Sequence, residues 1–186
     1  MLRQILAGTM LMGLAAAPAF AGQQPTTAQK ADKAMTGGKI ADEAFALKAA
    51  MGGMAEVELG KLAAEKATSD DVKKFGRRMA DDHSKANDEL KTLAQNKQIT
   101  LPAEPDPRAR AMHDKLAKLS GPAFDRAYMQ AMVADHKKDV NEFRLEAKSG
   151  KDADVKGWAA KTLPTLEEHL RLAQSANSAV GTSGKK

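Results

Sequence analysis

Four long stretches of this sequence carry apolar residues three and four positions apart, and two of the three breaks between them are only a few residues long. That spacing predicts amphipathic helices, and breaks so short force neighbouring helices to run antiparallel. The first helix is expected over about 40–67, roughly 40 Å at about 1.5 Å per residue. Ser69 followed by Asp70 and Asp71 has the form of a helix start, a capping hydroxyl with acids at the positive end of the dipole. The second helix then extends to about Asn96. Pro102, Pro105 and Pro107 forbid a continuous helix over 100–107, and a short helix is expected from about Arg108 to Leu119. Ser120-Gly121-Pro122 opens the third long helix, which ends near Ser149-Gly150, with Gly150 as its stop. Asp152 starts the fourth, which reaches about Ala176.

The expected fold is therefore all-α: two antiparallel hairpins joined by a crossover over 97–120 that contains the short helix. That connection is the ferritin-like one, as distinct from an up-down-up-down four-helix bundle. The chain has no cysteine, so packing alone must hold it. Ala, Leu, Lys, Glu and Asp are abundant and only 4% of residues are aromatic, which favours helix over strand.

The N-terminus has a different character. Arg3 precedes an uncharged apolar run from Ile5 to Ala17, then Pro18 and the small-x-small triplet Ala19-Phe20-Ala21. This is the pattern of a cleaved secretory signal over 1–21, too short to be a bilayer span of about 20 residues. Residues 22–39 are polar and read as a flexible lead-in, 40–177 as the bundle, and 178–186 as a disordered tail. Loss of Arg3 with the signal lowers the formal charge from +5 to +4. Acids and bases alternate along the helices, which describes solvated faces and excludes a nucleic-acid patch. The mature chain is expected in the periplasm, with outer-membrane association open and no transmembrane span.

Function is sought where polar residues interrupt the apolar stripes. Glu56 falls amid Phe45, Ala49, Leu59 and Ala63, whereas Glu58 lies on the charged face with Glu43, Lys61 and Glu65. Asp82 and His83 flank the centre of the stripe Val72, Phe75, Met79, Ala86, Leu90. His136 is centred among Met129, Met132, Val140 and Phe143, and His169 borders the stripe of the fourth helix. A lone histidine in such a position is usually a satisfied core residue, and Glu56 could simply pair with one. A buried carboxylate must in any case be protonated, paired or bound to a cation.

Each long helix thus turns one donor inward, and each donor lies near the middle of its helix. Glu56, His83, His136 and His169 form a candidate metal set, with Asp82, Asp135, Met79 and Met132 as supporting or substitute groups. Imidazoles with one carboxylate suit zinc, iron, manganese or copper, and the methionines add soft donors for copper(I). Met79-x-x-Asp82-His83 echoes Met132-x-x-Asp135-His136, although methionine in a stripe most often only fills the core. His113, on the short helix, has no partner pattern. Pro164 lies inside the fourth helix and frees the carbonyl of Ala160.

Ala-Glu56-Val-Glu-Leu-Gly, Met79-Ala-Asp-Asp-His83, Gly121-Pro-Ala-Phe-Asp-Arg-Ala-Tyr128 and Leu163-Pro-Thr-Leu-Glu-Glu-His169 together resemble the exported bacterial family known as domain of unknown function 4142. The resemblance covers about 40–177. It implies a ferritin-like bundle in the periplasm or on the outer membrane and implies no activity. Di-iron members of the wider fold carry Glu-x-x-His, but here Ala80, Val133 and Leu166 stand three before the inward histidines. Nothing in the sequence forms a hydrolytic centre, so an enzyme ranks below the other readings. The leading expectation is a metal-binding envelope protein. The alternative is a structural or interaction module, of the kind engaged in envelope stress, with a homo-oligomer left open as its partner.

Overall fold

A computed structural model describes residues 27–182, with the side chains of 27–36 and 40 left aside. The expected signal over 1–21 and the end of the tail lie outside the described residues. Among the described residues all regular structure is helical: α1 Thr27–Lys66, α2 Asp70–Lys97, α3 Pro107–Ala117, α4 Gly121–Ser149 and α5 Ala153–Thr182. No helix among them is long and apolar enough to cross a membrane.

Helices α1 and α2 pack as one antiparallel pair, α4 and α5 as another, and α3 lies in the crossover against α1. The outer limits differ from the sequence reading. Helix α1 begins at Thr27 instead of near Ile40, because Ala28 to Met35 is a run of good helix formers and Gly37-Gly38 weakens a helix without ending it. Likewise α5 continues past Ala176 to Thr182. Pro164 is accommodated within α5, which runs through it.

The turns are also held differently. Ser69 is the N-cap of α2 by position, but its side chain makes no capping bond. The carboxylate of Asp125, early in α4, accepts instead from the Thr68 and Ser69 amides at 3.0 and 2.8 Å and from the Thr68 hydroxyl at 2.6 Å. At the opposite end Asp42 of α1 accepts from the amides of Lys151 and Asp152, in the turn between α4 and α5. Each hairpin therefore holds the other's turn. Gly150 does stop α4, yet its φ of −52° is not left-handed. It is small because a Cβ there would stand 2.8 Å from the carbonyl oxygen of Glu146.

Two apolar clusters fill the bundle. One gathers Leu59, Ala63, Phe75, Met79, Leu116, Phe124, Tyr128, Met132 and Ala173. The other gathers Ala46, Ala50, Leu90, Val140, Phe143, Trp158 and Leu166. Along α1, α2, α4 and α5 the residue at the changeover is Glu56, His83, His136 and His169 in turn. A polar layer thus crosses the bundle at mid-height, between two apolar clusters.

Candidate metal centre

The four changeover residues are nearly sealed from solvent: Glu56 is 3% exposed, His83 5%, His136 and His169 0%. Burying so many polar groups costs several kcal/mol unless each finds a partner. Each imidazole has one nitrogen within 3.1 Å of an oxygen. His83 Nδ1 lies 3.0 Å from Glu56 Oε2. His136 Nδ1 lies 3.1 Å from the carbonyl oxygen of Met132, one turn back on α4. His169 Nε2 lies 3.0 Å from Asp82 Oδ2, which Arg78 also holds from the surface side.

The Met132 carbonyl and the ionised Asp82 carboxylate can only accept, which fixes the tautomers of His136 and His169 and leaves a lone pair on the opposite nitrogen, as an ionised Glu56 does for His83. Those opposite atoms, His83 Nε2, His136 Nε2 and His169 Nδ1, are buried without a hydrogen-bond partner. The three rings can bring one ring nitrogen each within 4.8 Å of the others. Their centroids stand 5.2–5.8 Å apart. Glu56 Oε1 is likewise unpartnered and lies 3.5 Å from His136 Nε2. Two donors held tetrahedrally at about 2.1 Å from one ion would be about 3.4 Å apart.

Burial sets the charge state. It depresses the pKa of His83, His136 and His169 to about 4, so all three are neutral near pH 7. It raises Glu56 to about 7, against the pull of His136. The contacts of Glu56 with His83 and His136 are therefore those of a carboxyl group with neutral imidazoles, not ion pairs. Asp82 stays below the usual carboxylate range: its partial burial opposes this, and the hydrogen bonds from His169 and Arg78 prevail.

The structure thus brings Glu56, His83, His136 and His169 to one level and places Asp82 behind His169. Met79 and Met132 belong to the first apolar cluster, the ordinary place for core methionines. His113 is partly exposed on α3, 3.5 Å from Asp114 and apart from the centre. Asp135 faces elsewhere, toward a cavity of about 140 Å³ that opens beside Glu56 and His83. Asp139, one turn further along α4, faces the same cavity and was not singled out in the sequence. Its signal was available: Asp135 and Asp139 are an i,i+4 pair on one side of His136.

The family described as "Domain of unknown function (DUF4142)" matches residues 24–176. No curated protein matches the chain. Among solved structures, the crystal structure of a DUF305 protein from Streptomyces coelicolor is similar, with a TM-score of 0.64 at 16% identity. The alignment covers 76% of this chain and 94% of that one. At that identity the likeness is one of fold.

Proposed function

We propose that this chain, which belongs to the DUF4142 family, is an exported ferritin-like bundle that binds a transition-metal ion through His83, His136 and His169. One observation carries the reading: each ring sets one nitrogen 3.0–3.1 Å from an oxygen and keeps the other buried and without a hydrogen-bond partner. Metal-binding histidines are characteristically oriented in this way by a carboxylate or carbonyl behind the ring. Without an ion, three buried acceptors go unsatisfied at about 1–3 kcal/mol each. Glu56 sets one oxygen 3.0 Å from His83 Nδ1 and the other 3.5 Å from His136 Nε2, at the edge of the histidine group.

Neutral imidazoles suit zinc, copper(II), iron or manganese, and the first two head the affinity order for such ligands. The placement of Met79 and Met132 in the apolar cluster disfavours copper(I). The alternative, a purely structural bundle, is supported by the carboxylate–imidazole bonds and weakened by the unpartnered nitrogens. Export to the periplasm rests on Ala19-Phe20-Ala21, and the intact mass of periplasmic protein should show a chain beginning at Gly22.

The binding test uses untagged mature protein stripped with a chelator and titrated with Co²⁺ and Zn²⁺. Wild type should take up one ion at the histidines, with visible Co²⁺ bands of nitrogen coordination. His136→Ala and His169→Ala should abolish them while helical circular dichroism persists. Asp82→Asn, which removes the charged support behind His169 together with its surface pairing to Arg78, should weaken binding about 10–100-fold. Co²⁺ spectra unchanged in the histidine variants, or absent from wild type, would leave the structural bundle as the better reading.

A further inference from the structure

The cavity beside Glu56 holds a second group of donors. Glu56, Asp135 and Asp139 can each bring a carboxylate oxygen within 4.8 Å of the others. Neither aspartate makes a hydrogen bond or ion pair with any other described residue. Lys48 reaches the rim but is engaged with Glu142 at 3.1 Å. Lys138, also at the rim, forms no ion pair among the described residues. Acidic groups crowd for many reasons, but here one of them is sealed in the core: Glu56 is 3% exposed, its Oε1 has no hydrogen-bond partner, and its side chain lines the cavity with both aspartates. Its carboxylate is the junction between the rings and the cavity.

We propose that Glu56, Asp135 and Asp139 form a second cation site, which takes a hard divalent ion such as Mn²⁺ at the floor of this cavity. All-oxygen donors select hard cations, whereas the imidazoles select borderline ones. An octahedral ion given three carboxylate oxygens needs about three waters to complete its shell. At about 30 Å³ per water, the cavity of about 140 Å³ accommodates them. Asp106, the N-cap of α3, and Ala109 form one wall, so the crossover helps to enclose the site. Glu56 would then stand between a nitrogen-rich and an oxygen-rich ion. Of the histidine centre, only Glu56 enters the second site.

The experiment uses untagged mature chain and follows the electron paramagnetic resonance of free Mn²⁺ as protein is added. Wild type and His169→Ala should each bind one Mn²⁺, because His169 touches Asp82 and not the carboxylate group. Asp139→Asn should lower Mn²⁺ affinity at least tenfold while Co²⁺ uptake at the histidines is unchanged. Asp135→Asn should do the same and serves if the first variant folds poorly. If Mn²⁺ binding is lost in both variants although no protein takes up Co²⁺, the carboxylate site stands and the three-histidine reading fails. Equal Mn²⁺ affinity in wild type and both variants, or no Mn²⁺ bound by wild type at millimolar concentration, overturns the second site.

Discussion

Burial gives the histidines of this centre a pH response opposite in usefulness to that of surface histidines. An exposed imidazole titrates near pH 6.5 and gives up a metal as it protonates. Here burial holds all three rings neutral down to about 4. Zinc loaded at pH 7 should therefore remain bound at pH 5.5 and be released only as the pH nears 4, measured by equilibrium dialysis. Release centred near pH 6.5 would mean that the rings are not sealed. Asp139 has the reverse sign: burial, then the neighbouring Glu56 and Asp135, raises its pKa to about 9. A raised folded value contributes stability that is full below the unfolded pKa of about 4 and is lost as pH rises toward the folded value. Metal-free Asp139→Asn, which cannot ionise, should thus melt higher than wild type at pH 8, with the gap closing toward pH 4. A constant gap across that range would show that Asp139 ionises normally.

Among the helices, apolar spacing made the stripes of α2, α4 and α5 legible, and with them the inward histidines, because burial follows the 3.6-residue period directly. What spacing could not convey was how close two helices come. Gly60 and Gly76 face each other where α1 and α2 cross, and a Cβ on Gly76 would stand 2.7 Å from the Gly60 carbonyl oxygen and 2.8 Å from Ala63 Cβ. Neither glycine has an unusual φ, and neither shows in a hydropathy pattern. In an open helix Gly→Ala stabilises by about 1 kcal/mol. At this crossing the backbones must part, and overpacking costs about 1–3 kcal/mol. Gly76→Ala should lower the urea midpoint despite its better helix propensity; a raised midpoint would mean that α1 yields freely. The start of α1 was illegible for another reason, since a polar run of good helix formers resembles a linker until it continues an established helix.

Across the whole molecule the two hairpins are joined by a reciprocal exchange of caps, Asp125 to Thr68 and Ser69, Asp42 to Lys151 and Asp152. The same offset separates 42 from 125, 68 from 151 and 69 from 152. It also relates Phe45 to Tyr128, Val72 to Val155, Phe75 to Trp158, and Glu56 to Asp139, whose carboxylates meet at the proposed second cation site. This repeat was present in the sequence, but substitution at most other positions hides it, and an aspartate near a helix start looks like a surface dipole partner until its acceptor role is seen. The caps stand at opposite ends of the bundle, and Trp158, the chain's one tryptophan, packs near the Asp42 end with Phe45 and Phe143. Asp125→Ala leaves the part-buried donors of Thr68 and Ser69 at the far turn without their protein acceptor and should cost about 1.5–3 kcal/mol, since bonds to a charged acceptor contribute more than neutral ones. If the exchanged caps bind both hairpins into one cooperative unit, that loss must reach Trp158. Its fluorescence transition in urea should shift as far as the circular dichroism transition of the whole chain. A tryptophan midpoint that stays at the wild-type value while the dichroism midpoint falls would show two hairpins that unfold separately, with the caps acting only on their own turns.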